Sequence, residues 1–271
     1  PAGIVALVLR RLGGPPYVLT AHGADAFVLS TGLPARLKRL VLARAASVLP
    51  VSEDIAATLR GLGATSLTVV PMGVDVGAIR RATSPRQPEP GRLLFVGRLA
   101  GKKGVPVLLE ALAAVPGTTL ALVGDGPDRA AIERRTAELG LAERVEVLGQ
   151  QPRSRVEAEL RRAAALVIPS VVDTDGDKDG TPVVLPEALA AEVPVVASDL
   201  AGLGEHLVHD RNGILVPPGD VAALTAALER VVADPASLTA LAAEGLVTVR
   251  ERFDLPVVAA AYLASFEAAS R

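Results

Sequence analysis

RLLFVGRLAGKKGVPVLLEALAAVPGTTLALVG, residues 92–124, decides how the chain folds. It opens on a short apolar run, RLLFVG (92–97), and crosses a glycine- and lysine-rich turn. It continues as VPVLLEALAAV (105–115), with apolar side chains at helical spacing, and closes on TLALVG (119–124). Short apolar runs bounded by glycine read as buried strands, and the longer periodic stretch between them as a helix. A strand, a helix and a second strand make a βαβ unit, which sets the two strands parallel.

The same grammar extends in both directions. YVLT (17–20), SVLPV (47–51), LTVVP (67–71), VEVLG (145–149), ALVIPS (165–170), PVVAS (194–198) and GILV (213–216) are further strand candidates. DRAAIERRTAELG (128–140) and VAALTAALERVVA (221–233) are further helices. Strands alternating with helices point to an α/β protein with parallel, doubly wound sheets. SPRQPEPG (84–91) carries proline and glycine without periodicity and reads as a linker. The expected organisation is a partial first domain over 1–83, the linker 84–91, a complete second domain over 92–250 and a C-terminal helix over 251–271. YVLT, SVLPV and LTVVP are few strands for an open α/β domain, so the first domain is expected to be incomplete at its N-terminus. The absence of Met at position 1 fits a fragment or a processed form.

Composition excludes several classes. Of 271 residues, 28 are Lys or Arg and 30 Asp or Glu, a net charge of −2 without the basic footprint of a nucleic-acid binder. There is no Cys, which removes disulfides, thiolate metal sites and a thiol nucleophile together. Mean hydropathy is +0.40, yet no run approaches the ~18 consecutive apolar residues of a spanning helix. PAGIVALVLRR places its charges after its apolar run, the reverse of a signal peptide. A cytoplasmic chain is expected, at most peripheral to the inner face of a membrane.

Ligands of open α/β sheets collect beyond the carboxyl ends of the strands, so the residues following each strand carry the chemistry. After RLLFVG come Arg98 and Lys103, ahead of a helix whose dipole disfavours cations at that end. They make sense as a pair gripping an anion; two solvated surface charges are the plainer alternative. GDGPD (124–128) is explained equally well by a tight turn. His22 follows YVLT, where it is either a structural histidine or part of a cleft. After ALVIPS comes DTDGDKDGTPVVLPE (173–187), with Asp179 in a loop and Glu187 near a helix start. The alternating aspartates imitate a calcium loop, but with Asp175 as position one the twelfth position is Pro186 rather than a bidentate Glu. No metal site is expected there.

AHGAD (21–25), VSEDI (51–55), VPMGVD (70–75), VGRLAGKKG (96–104), LVGDGP (122–127), DGTPVVLPEALAAEVPVVAS (179–198) and HDRNGILVPPGD (209–220) together resemble the GT4 family of retaining glycosyltransferases. The resemblance runs over nearly the whole chain. It implies a GT-B fold, two Rossmann-like doubly wound domains with the first incomplete here. It also implies a nucleotide-sugar donor, a glycan, lipid-linked or small-molecule acceptor, and no cofactor. By resemblance Glu187 holds the ribose hydroxyls and Asp179 the hydroxyls of the transferred sugar. The backbone of Gly180, Thr181, Pro182, Val183 and Val184 meets sugar or diphosphate. Arg98 and Lys103 grip the diphosphate, His22 contacts the sugar from the other domain, and the backbone at Gly149 and Gln150 cradles the base. The chain departs from the family in Asp179 for Glu, Met72 for Asn and Glu192 for Gly. A non-catalytic nucleotide-sugar-binding subunit is the competing class, ahead of an epimerase or a phosphorylase on the same fold.

Overall fold

A computed structural model describes residues 2–22, 32–173 and 180–270. By packing, the chain divides into Pro1–Gly73 together with Arg252–Arg271, and Val74–Glu251. The sequence-based seam lay at 84–91; in the structure that run belongs to the second unit. Its fastenings explain this. Gln87 and Glu89 donate backbone N–H to the carbonyls of Arg161 and Arg162 at 3.0 and 2.8 Å. Arg86 donates to the carbonyls of Glu192 and Ala163. Composition marks the run as irregular, but irregular backbone can still be pinned along its length.

The first unit holds helix Ala2–Arg11, strand β1 (Val18–Ala21), helix Gly32–Arg44, strand β2 (Ser47–Pro50), helix Glu53–Gly61 and, from the far end of the chain, helix Leu255–Ser270. β1 and β2 pair in parallel as a two-stranded sheet. LTVVP (67–71) does not form a regular third strand. It meets β2 through a single bridge, Val48 with Leu67, plus N–H bonds from Thr68 to Val48 and from Val70 to Pro50. Ser52 starts the helix Glu53–Gly61 by accepting from the Ile55 N–H at 3.4 Å. Leu49, Val70 and Val258 form a core cluster with Ala261 and Tyr262 packed against it, which places the C-terminal helix on this unit.

The second unit begins with helix Val76–Thr83, capped by Asp75 accepting from Ala78 N–H at 2.7 Å. Strands β3 (Arg92–Val96), β4 (Thr119–Val123), β5 (Val145–Gly149), β6 (Ala165–Ile168), β7 (Val195–Ser198) and β8 (Ile214–Val216) follow. They form one six-stranded parallel sheet in the order β5-β4-β3-β6-β7-β8. The chain winds outward from β3 to one side, then returns and winds outward from β6 to the other. β3 and β6 are therefore the neighbours at which the winding reverses, and a crevice opens beyond their carboxyl ends. Leu93, Phe95, Leu120, Leu122 and Val167 face the side chains of helices Val105–Ala114 and Val221–Ala233 in a single buried core. Val105–Ala114 is almost wholly apolar because it lies between the sheet and its neighbouring helices.

Arg92 opens β3 and is nearly buried against Glu159, which is 1% exposed, at 2.6 Å. That charge-assisted bond fastens helix Arg153–Arg162 to the amino edge of the sheet. Among the described residues, no single helix is long and apolar enough to cross a membrane.

Candidate active site

Each chemistry-bearing residue of the second unit follows a strand at the carboxyl edge. Arg98 comes just after β3 and is exposed; Lys103 ends the single 3-10 turn Gly101–Lys103 and is half-buried. The Lys103 stem runs back over Gly97, its Cε 3.8 Å from where a Cβ would stand on that residue. Gly104 then turns the chain into helix Val105–Ala114 with φ +64°, and a Cβ there would lie 1.8 Å from the Pro169 carbonyl oxygen. Only glycine fits both the conformation and the space. The loop after β3 is thereby packed against the loop after β6, and the Val171 N–H donates to the Lys102 carbonyl at 2.8 Å.

Across this joint, Thr181 donates its hydroxyl to the Gly202 carbonyl at 3.0 Å, fixing the approach to helix Val184–Ala190. Gly180 and Pro182 are partly exposed, Val183 is exposed and Val184 is buried. Glu187 lies in the first turn, half-buried. Burial pushes its carboxyl above the usual carboxylate range; Arg153 pulls it down and Glu157 pushes it up. Arg153 and Glu157 themselves pair at 2.9 Å. Both stand on the helix following β5, so the acid after β6 and the helix after β5 converge. Gly149 closes β5, its carbonyl accepting from Gly124 N–H at 2.8 Å, and Gln150 beyond it is exposed. Gly124, at φ +138°, brings its backbone against the Gly97 carbonyl, which accounts for GDGPD as close packing between β3 and β4.

His22 lies in the first unit, exposed, directly after β1. Asp179, with the aspartates at 175 and 177, falls outside the described residues. Among the described residues no group of His, Asp and Glu side chains is placed to hold a metal ion. A cavity of about 550 Å³ lies away from this edge: Gly91, Ala164 and Pro194, each just before β3, β6 or β7, line it with Arg80, Arg86 and Leu238. It belongs to the amino ends of the strands, where an open α/β sheet does not carry its site.

Sequence reasoning did not single out Arg153 or Glu157 beside Glu187. Their spacing of four residues on a helix signals an ordinary surface ion pair. Nothing in the sequence says that the pair also faces an acid from another loop.

Residues 78–246 match the family model of glycosyl transferases group 1, and residues 1–78 that of Glycosyltransferase Family 4. The chain is 31% identical over 282 residues to glycogen synthase of Mycobacterium tuberculosis, covering 98% of this chain and 66% of that protein. It is 32% identical to the 2-deoxystreptamine glucosyltransferase of Streptomyces kanamyceticus, covering 96% of this chain and 72% of the relative. With the colanic acid glycosyltransferase WcaL of Salmonella typhimurium, also at 32%, the match spans 58% of the relative's length. The chain thus spans about two-thirds or less of the first of these relatives and of WcaL. In fold it is similar to HepE of Anabaena, solved with UDP, at a TM-score of 0.83 and 20% identity over 98% of this chain and 76% of that one. Sucrose-phosphate synthase from Thermosynechococcus elongatus gives 0.81 at 26% identity, covering 98% and 71%.

Proposed function

This chain belongs to the group 1 glycosyl transferases, and from that premise we propose that it moves a sugar from a nucleotide-diphosphate sugar to a hydroxyl-bearing acceptor, with retention of configuration. The observation that carries the reading is the crevice where the winding reverses. Arg98 and Lys103 stand on the bank after β3, and Glu187 on the bank after β6. Breaking the sugar–phosphate bond leaves negative charge on the departing diphosphate. Cations held in place before the reaction stabilise that charge most in its transition state. In this reading Arg98 and Lys103 take the diphosphate, and the backbone of Gly180, Thr181, Pro182, Val183 and Val184 meets sugar or phosphate. Glu187 accepts the ribose hydroxyls, and the backbone at Gly149 and Gln150 borders the base. Asp179 takes the hydroxyls of the transferred sugar and His22 contacts that sugar from the first domain. The acceptor attacks from the face the diphosphate leaves, which keeps the configuration without an enzyme nucleophile. No cofactor enters the scheme.

The relatives support a glycan, lipid-linked or small-molecule acceptor. One of them is a glycogen synthase and another a glucosyltransferase named for 2-deoxystreptamine. We place the reaction in the cytoplasm, at most peripheral to the inner membrane face. The test is incubation with UDP-, GDP- and ADP-linked sugars and candidate acceptors, following nucleotide release and the anomer of the product. Release coupled to a retained anomer is expected. Binding without release would leave a non-catalytic nucleotide-sugar binder, and no affinity for any of the three nucleotides would sink the reading.

A further inference from the structure

Asp173 stands at the joint between the two loops that border the crevice. Its carboxylate covers the bare face of Gly101: Oδ2 is 2.7 Å, and both Cγ and Oδ1 3.2 Å, from where a Cβ would stand. Gly101 opens the 3-10 turn that ends in Lys103, and Ala100 before it supplies no side-chain cap. Two backbone contacts flank the same joint, Val171 N–H on the Lys102 carbonyl and the Pro169 carbonyl over Gly104. The turn is therefore gripped at its first, second and following residues by the segment 169–173. A negative group against a turn carrying Lys102 and Lys103 opposes the repulsion between the two ammonium groups.

We propose that Asp173 is a positioning residue for the diphosphate grip: seated on Gly101, its carboxylate fixes the turn that presents Lys103. This rests on the donor-site reading above. A long, flexible lysine aids a developing anion only where its stem and backbone are already in place, and small misplacements at such sites cost up to about a hundredfold in rate. The seat needs glycine at 101, since any Cβ occupies the space the carboxylate now fills. Residues 101 and 173 are thus one device made of two side-chain choices.

Two variants break it from opposite sides. Asp173→Asn keeps the shape and removes the charge; Gly101→Ala keeps the charge and removes the seat. Calorimetric titration of the 271-residue chain with UDP, GDP and ADP, and with the matching monophosphates, separates the β-phosphate from the rest of the nucleotide. The wild-type chain should prefer its diphosphate over the monophosphate by about tenfold or more. Each single variant should lower that preference at least about fivefold, with monophosphate affinity within about twofold. The double variant should lose little beyond either single one, because the seat and its occupant act as a unit. Unchanged diphosphate preference in both single variants overturns the proposal. So does an equal fall in monophosphate affinity, which would mark general damage to the unit. A wild-type chain without any diphosphate preference fails the donor-site reading itself and takes this inference with it.

Discussion

At neutral pH the Glu187 carboxylate opposes folding. Burial raises its pKa in the folded chain above the ordinary value of about 4.3, the direction expected when an anion leaves water. A group raised in this way favours the fold fully below its unfolded pKa and loses that favour as pH climbs through the folded one. Glu187→Gln, which imitates the protonated shape, should therefore melt higher than wild type near pH 7.5. The gain should shrink toward pH 4.5, while nucleotide affinity falls. Melting curves at both pH values check the first part and titration the second; an equal gain at both would remove burial as the cause. Retaining a destabilised acid in a crevice is common where an acid serves binding or catalysis. Glu192 shows the same scale from another side. It sits at φ +55°, a conformation that suits glycine, and its carboxylate pairs with Arg80 at 2.8 Å. The resemblance expects glycine there, and the backbone explains why.

Among the elements, the turn Gly101–Lys103 and the start of helix Val105–Ala114 concentrate most of the mechanism. Lys103→Ala is expected to lower turnover about a hundredfold in an active form while changing donor KM much less. Steady-state kinetics with the donor varied would show this, and a loss within about twofold would return Lys103 to the solvated surface. Gly104→Ala tests the scaffold rather than the charge. Its positive φ and the 1.8 Å approach to the Pro169 carbonyl should together cost about 2–4 kcal/mol, measured by urea unfolding. An alanine variant as stable as wild type would mean that the two loops separate without penalty. The strands of this region were legible in the sequence because each buries nearly all of its side chains, so RLLFVG and TLALVG read as unbroken apolar runs. LTVVP was over-read for the same reason. Val70 is buried, but on Leu49 and Val258 rather than within a ladder, and apolar spacing cannot tell those two kinds of burial apart. The site was legible where it follows a strand, as with Arg98, Lys103 and Glu187. Arg153 beside Glu187 and Asp173 on Gly101 are meetings of separate loops, and no local pattern encodes them.

For the whole molecule, the position of the seam was hidden. SPRQPEPG has the composition of a linker yet is pinned to helix Arg153–Arg162, while the passage at Gly73–Val74 has no mark of its own. The sequence announced a last helix but could not say which unit it joins. Because Val74–Glu251 holds the whole six-stranded sheet and its buried core, a polypeptide of residues 74–251 should fold cooperatively and keep most of the nucleotide affinity of the full chain. Circular dichroism and titration would check this, and a molten or non-binding product would show that the first unit supports the second.

The helix Leu255–Ser270 lies on the first unit, so both chain ends belong to that unit and the second is threaded between them. In a single-molecule experiment pulling on residues 2 and 270, tension would first load the contacts of that helix with Leu49 and Val70. The sheet of the second unit would feel no load until the helix had peeled away. The extension trace should then show two ruptures in a fixed order, the smaller unit always yielding before the larger.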